Sequence, residues 1–425
     1  MKSKLAGPIF VAIFIFSVTA AIVLFGRGFR VDLQQKELKT TGLLAATSNP
    51  KGASIFINNR LTSATNETIN LDPGWYDVRI EKEGFIPWQK KIEIKKEIVA
   101  ETNAHLFSQH PSLSPLTSTG AKSPSLSPDG LKLAYIIPYQ PTINNQQLAI
   151  KYGVFILNLN NNPLSFSKKS TQIFSYQVTA DEKASLVWSP DSTQVLFVND
   201  QAAFLLDLDK KNESPQNLIN NLPSLFSDWE IEHAELEEKN LLSLPEKLTE
   251  FLQESTKILS WSPDETKILY QATTSATLSQ VIKPPLSAVN PTQETREIEP
   301  DKIYVYDRKE DRNYEIIKSS SFKELSSGQS QELSSKSEKL ELEELASEIT
   351  RQSGLHWLPT SRHLILPEDN SISIIEYDNT NKATVYASPF EENFVAPFPN
   401  GDRLIILTTL NPTSNPSNLY SLSLK

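Results

Sequence analysis

A proline-centred turn recurs between residues 112 and 425 and limits the fold of this chain more than any other feature. It reads Leu126-Ser127-Pro128-Asp129-Gly130, Trp188-Ser189-Pro190-Asp191-Ser192 and Trp261-Ser262-Pro263-Asp264-Glu265, then in eroded form Trp357-Leu358-Pro359-Thr360-Ser361 and Phe398-Pro399-Asn400-Gly401. Each copy leads into a hydrophobic run, at 131–136, 195–198, 267–270, 363–366 and 403–407, and a second run follows later in each unit. Proline at the first central position of a turn has its φ pre-set near about −65°, and the neighbouring aspartate accepts backbone hydrogen bonds. Pro128, Asp129, Pro190, Asp191, Pro263 and Asp264 are therefore assigned as structural turn residues, with backbone capping preferred over a polar binding surface for the aspartates. Trp188, Trp261 and Trp357 stand at equivalent positions before the turns, which predicts packing between adjacent blades.

A strand–turn–strand–loop–strand module repeated radially makes a β-propeller, with units of about 40–45 residues in the best-known class. Successive turn prolines lie 62, 73, 96 and 40 residues apart, so all but the last interval must carry insertions. Composition locates them near 223–255, 272–300 and 319–350. The first is acidic and includes a short helix from Pro245, with Leu248, Phe251 and Leu252 on one face; the second is an exposed Ser, Thr and Pro-rich loop; the third is helical or partly disordered. Only two strong strands remain after the last turn, so residues 111–119 are expected to complete the final sheet and cover its edge. The reading is a propeller over 111–425 with about five blades, a sixth hidden in the insertions being the alternative. The repeat resembles the TolB-like and WD40-like propeller families. That resemblance implies protein or ligand binding at the channel mouth or on the loops between blades.

Residues 5–25 form an uncharged, strongly apolar run of 21 residues. At about 1.5 Å per residue a helix of that length crosses a hydrocarbon layer of roughly 30 Å. A cleaved signal peptide has an apolar region of only about 7–15 residues, so length favours a retained anchor. Lys2 and Lys4 precede the run while Arg27, Arg30 and Lys36 follow it, and the positive-inside rule is nearly balanced. Orientation then leans on the large C-terminal body, expected outside the cytoplasm. Residues 1–25 are read as cytoplasmic tip and transmembrane helix, and 26–49 as a juxtamembrane stalk.

Between 50 and 107 the pattern changes to short alternating strands. Ala53, Ile55 and Ile57 alternate with Ser54, Phe56 and Asn58, and Tyr76, Val78 and Ile80 alternate with Asp77, Arg79 and Glu81. Asn58-Asn59 suits a tight hairpin, and Asp72-Pro73-Gly74 supplies a second turn. The runs 52–58, 71–80 and Glu83-Gly84-Phe85 resemble the PEGA domain, with Trp75 following Gly74 where the family's four-letter word would continue. The resemblance implies a small β-sandwich of exported or surface-attached proteins and brings no catalytic residue. The fold class expected for the whole chain is all-β: a PEGA-like sandwich, then a propeller, behind one transmembrane helix.

Candidate chemistry is thin. The net charge of −10 argues against nucleic acid as partner, and the absence of Cys removes disulfides, thiol catalysis and Cys-based zinc sites. There is no G-x-S-x-G elbow, P-loop or dinucleotide glycine fingerprint. His105, His110, His233, His356 and His363 lack helical zinc-protease spacing, and His233 among Glu230, Glu232, Glu235 and Glu237 reads as part of a solvated acidic insertion. No catalytic residue, metal site or cofactor is assigned. Trp75 and Trp88 are weak candidates for polymer contact, with sandwich packing or isolated exposure as the plainer reading. The leading function is a membrane-anchored extracytoplasmic binding or scaffold protein, attached through residues 5–25, whose partner is an envelope protein or surface polymer. A structural envelope protein whose PEGA-like domain touches wall polymer, and a propeller-based enzyme of unknown chemistry, are the alternatives.

Overall fold

The structure, a computed structural model, describes residues 6–26, 29–32, 37–139, 151–159, 170–210, 212–318, 355–391, 394–410 and 416–425. The insertion expected at 319–350 therefore lies outside the described residues. The chain divides into a first unit of Met1–Gln109 with Ile282–Gln293, and a second of His110–Val281 with Glu294–Lys425.

The first unit starts with α1 (Ala6–Gly26), whose described large side chains, Phe10, Phe14, Phe16 and Ile22 among them, are exposed. Among the residues described in full no helix is long and apolar enough to cross a membrane, side chains of α1 being described over 9–23 only. A short hairpin follows, β1 (Phe29–Asp32) against β2 (Glu37–Thr40). The sandwich proper begins with β3 (Gly42–Asn49), then β4 (Ser54–Ile57), β5 (Arg60–Ala64), β6 (Glu67–Leu71), β7 (Gly74–Glu81), β8 (Trp88–Ile94) and β9 (Val99–His105). One sheet has the order β6-β3-β9, the other β5-β4-β7-β8. Their inner faces share one core, Leu44, Ala46 and Ala104 from the first meeting Ile55, Val78, Ile80, Trp88 and Ile92 from the second. Asn58 and Asn59 both take left-handed φ, 48° and 64°, as a two-residue hairpin turn requires.

The structure moves one expected boundary. Residues 42–49, read as the end of a stalk, form the central strand of the three-stranded sheet, paired in parallel with β9 from Leu43↔Val99 to Asn49↔His105. Leu44 and Ala46 point into the core, so this segment belongs to the sandwich.

The second unit opens with β10 (Leu113–Pro115) and continues as antiparallel meanders. The first contains β11 (Lys122–Leu126), β12 (Lys132–Ile137), β13 (Gly153–Asn158) and β14 (Thr171–Phe174); the second has β15 (Ala184–Trp188), β16 (Gln194–Asn199) and β17 (Ala203–Asp207). Two helices intervene, α2 (Leu222–Leu242) and α3 (Glu246–Ser255). The third sheet is β18 (Thr256–Trp261), β19 (Lys267–Ala272), then, past a ribbon of β20 (Ala276–Thr277) and β21 (Glu297–Ile298), β22 (Lys302–Asp307) and β23 (Arg312–Lys318). The fourth is β24 (His356–Trp357), β25 (His363–Glu368), β26 (Ser371–Glu376) and β27 (Ala383–Tyr386). The fifth is β28 (Val395–Pro397), β29 (Arg403–Thr408) and β30 (Asn418–Ser423), and β10 completes it, pairing Leu113↔Leu422 and Pro115↔Tyr420. The two ends of the unit thus share one sheet.

Strands such as β12 bury both faces. Leu133, Tyr135 and Ile137 meet Ala396, Phe398, Ile405 and Leu407 of the fifth sheet, while Ala134 and Ile136 meet Leu186, Trp188 and Phe197 of the second. Leu269, Val305 and Tyr314 of the third sheet meet Trp357, Leu364 and Ile375 of the fourth in the same way. Between the second and third sheets the helices take over. Leu222, Phe226 and Trp229 of α2 cover Val187, Leu196 and Ala203, and Leu248 and Leu252 of α3 cover Ile258, Ile268 and Tyr270.

The second sheet has three strands, and side-chain amides stand in for the fourth. Asn212 accepts from Asp207 N at 3.0 Å and donates to Asp207 O at 2.9 Å. At the other end of β17, Ala203 N donates to Asn217 Oδ1 at 3.0 Å and Leu218 N to Ala203 O at 2.7 Å. Buried strand edges must be paired or covered, and these contacts do so for the ends of β17. The insertion around 272–300 is likewise anchored. Asp311 is buried and accepts from Val281 N at 2.8 Å and Tyr306 OH at 3.0 Å, and Arg296 pairs with it at 3.3 Å.

Trp188 ties the second sheet to the first. It is 1% exposed and its indole N–H donates to Ser125 O at 2.9 Å. Trp188→Ala therefore should lower the unfolding free energy by about 3–5 kcal/mol, and Trp188→Phe by less. Denaturant titrations would check this, and near-wild-type melting of Trp188→Ala would contradict it.

Candidate functional site

The recurrent turns are built alike. In all five, a backbone hydrogen bond links the second residue after the proline to the residue before it: Gly130 N to Ser127 O, Ser192 N to Ser189 O, Glu265 N to Ser262 O, Ser361 N to Leu358 O and Gly401 N to Phe398 O, at 2.7–3.0 Å. That residue has a left-handed φ every time, 69°, 61°, 57°, 55° and 68°. In the three Ser-Pro-Asp copies the side chains complete the loop. Ser127 Oγ donates to Asp129 Oδ1 at 2.5 Å and accepts from Lys132 N at 2.9 Å, while Leu131 N donates to Asp129 Oδ1 at 2.9 Å. Ser189, Asp191, Thr193 and Gln194 repeat this set, as do Ser262, Asp264, Thr266 and Lys267. Each aspartate thus commits its Oδ1 to the local backbone and hydroxyls, and Asp129 Oδ2 meets Lys132 Nζ at 3.3 Å.

Burial alone would raise these carboxyls, but the hydroxyl and N–H partners, with Lys132 beside Asp129 and Lys267 beside Asp264, outweigh it. Asp129 and Asp191 are held below the usual carboxylate range and Asp264 lies at about 2. Pro128 and Pro263 are exposed and Pro190 is buried.

Neighbouring turns also touch. Asp129 N donates to Ser192 Oγ at 3.1 Å, and Asp264 N to Ser361 Oγ at 3.0 Å. The left-handed position favours glycine, yet here serine offers a hydroxyl to the preceding turn. These two serines escaped the sequence reading, although their place in the repeat marks them. Trp357 is buried against the third sheet. Trp261 is half-buried, with the Arg308 guanidinium 5.5 Å from its ring centroid.

In the sandwich the two tryptophans part company. Trp88 is 3% exposed in the core, opposite Ile80, so it presents no platform to solvent. Trp75 is 51% exposed, with Lys91 Nζ 5.8 Å from its ring. The histidines do not converge: His233 sits on α2, His105 packs on Phe107 with centroids 5.0 Å apart, and His363 Nδ1 lies 3.0 Å from Thr360 Oγ1. Loss of solvent holds the His356 imidazole at about 4. Among the described residues no group of three or more His, Asp or Glu side chains is arranged to hold a metal ion.

Residues 41–109 match the PEGA domain. The match takes in both sheets of the sandwich, β3 included. No curated protein matches the chain. Among solved structures, TolB from Acinetobacter baumannii is similar at 11% identity and a TM-score of 0.22, covering 82% of this chain and 59% of that one. This chain therefore spans less than two thirds of that TolB. A protein described as a TolB of Agrobacterium tumefaciens is similar at 10% identity and a TM-score of 0.21, covering 91% and 100%. Oligogalacturonate lyase from Vibrio parahaemolyticus is similar at 10% and 0.19, covering 93% and 96%. Likeness at these scores is too slight to define fold or function.

The turn chemistry has a pH signature. Because the folded Asp264 carboxyl lies near 2 and an unfolded one near about 3.9, its contribution is complete above the unfolded value and is lost as pH falls through the folded one. Thermal melts of the parent and Asp264→Asn should differ by a few degrees at pH 7 and converge between about pH 4 and pH 2. A gap that does not change with pH would show that the carboxylate charge is not what the turn uses.

Proposed function

We propose that this chain is a membrane-anchored extracytoplasmic binding or scaffold protein, held by its N-terminal helix, with a PEGA-like sandwich and a five-bladed propeller as its outer body. The observation that carries the anchoring is α1 itself, whose described apolar side chains are exposed in a chain of net charge −10. A helix that is hydrophobic all round belongs in a core or a bilayer, and the uncharged run of residues 5–25 is long enough for the latter. The PEGA match supports the outer side, since that domain is typical of extracellular and periplasmic proteins. Five sheets, cores shared by the first with the second and fifth and by the third with the fourth, and a joined first and last strand support the propeller reading.

A binding role fits the chemistry better than catalysis. The most regular polar groups of the second unit, the turn aspartates, are engaged by their own backbone. The partner is an envelope protein or a surface polymer, and exposed Trp75 favours the polymer for the sandwich.

Tags at the two termini test the topology. Protease added to intact cells should remove a C-terminal tag and leave an N-terminal cytoplasmic tag intact. A C-terminal tag that stays protected, when a known surface protein in the same cells is cleaved, would overturn this orientation.

A further inference from the structure

The outward face of the four-stranded sheet in the sandwich carries an ordered set of side chains that the core does not use. Strand alternation sends Ile55, Val78, Ile80 and Ile92 inward and turns Phe56, Trp75, Asp77, Arg79 and Lys91 outward. Register brings them together: Asp77 lies opposite Lys91, and Arg79 lies opposite Phe56. Two aromatic rings are each attended by a cation, Lys91 at 5.8 Å from Trp75 and Arg79 at 4.4 Å from Phe56. At about 3.3 Å per residue the two rings stand roughly 13 Å apart along the strand. Trp75 remains about half exposed to water.

The charge on this face selects the class of ligand. Arg79 pairs with Glu81, Lys91 faces Asp77, and Lys95 pairs with Glu93 at 3.3 Å, so positive and negative groups balance. An anionic polymer such as nucleic acid needs an excess of cations, which is missing. A protein partner needs a broad apolar centre ringed by polar groups, and Trp75, Leu61 and half-buried Phe56 are too few to make one. A neutral chain rich in hydroxyls fits: an indole offers an apolar face to the C–H side of a sugar ring, while carboxylate and ammonium groups beside it take the hydroxyls.

We propose that the outer face of this sheet binds a neutral glycan chain, with one sugar ring stacked on Trp75 and its hydroxyls met by Asp77 and Lys91. The proposal deepens the polymer-contact reading above and uses the extracytoplasmic location only for where the glycan is encountered. Binding by purified protein does not depend on topology, so the two ideas can fail separately.

Calorimetric titration of the detergent-solubilised full chain tests it, with cellohexaose and the N-acetylglucosamine hexamer as neutral probes and dextran sulfate as an anionic one. At least one neutral hexasaccharide should bind. Trp75→Ala should weaken that binding about tenfold or more, equivalent to about 1.4 kcal/mol, Trp75→Phe should weaken it less, and both should melt like the parent. Absence of binding to both neutral hexamers, unchanged affinity in Trp75→Ala, or a stronger and salt-sensitive affinity for dextran sulfate would each overturn it.

Discussion

The hydrogen-bonded closure of one turn, repeated five times, sets the geometry on which the second unit depends. In each copy the chain reverses through a proline-centred loop whose last residue is left-handed, and three copies lock it with a serine hydroxyl and an aspartate carboxylate. Every group so bonded is one that would otherwise compete with the strands beside it. Once the reversal is fixed, the next strand starts in register, and its side chains fall alternately toward the sheet before and the sheet after. Strands such as Lys132–Ile137 are then buried on both faces, which is why they read as unbroken apolar runs.

Sheets joined in this way leave two problems, a chain with two loose ends and an insertion between the second and third sheets. The ends are joined by Leu113–Pro115 lying along Asn418–Ser423, so residues about three hundred positions apart close one sheet. The helices Leu222–Leu242 and Glu246–Ser255, which follow the second sheet in the chain and precede the third, bury their apolar stripes on the second and third sheets respectively. Asn212 and Asn217 meanwhile satisfy the strand ends that a fourth strand would have paired. An insertion that sequence composition marks as a departure from the repeat is, physically, part of its packing.

How legible each part was follows from where its partners lie. The turns are readable because Ser and Asp serve local hydrogen bonds and Pro fixes φ; the eroded copies keep the backbone closure and lose the serine, while Thr360 and Asn400 still accept from the N–H two residues on. The helix from Glu246 showed its stripe, whereas the longer Leu222–Leu242 helix did not, since its second half is acidic and largely exposed. Gly42–Asn49 reads as stalk in the sequence because its parallel partner lies beyond five intervening strands, and nothing local reports such a pairing. Trp75 and Trp88 could have been separated: Trp75 is out of phase with inward Tyr76, Val78 and Ile80, whereas Trp88 is in phase with Ile92 and Ile94. Lys91 above Trp75 needed the register of two strands and was not visible from either alone.

The closure of the second unit is the claim on which its propeller geometry rests, and the chain offers a clean probe because it contains no cysteine. Ser114 and Ser421 face each other across the closing pair of strands. Directly opposed residues in an antiparallel pair have Cα atoms about 4.5–5.5 Å apart, within the range a disulfide spans. Extent of disulfide formation in the Ser114→Cys, Ser421→Cys double variant is therefore the most direct measurement. The account predicts near-complete oxidation in the folded protein and a higher melting temperature than the reduced form, since the link constrains a very long loop in the unfolded chain. Free thiols that persist under oxidation while the protein stays folded, or a bond that forms only after denaturation, would contradict it.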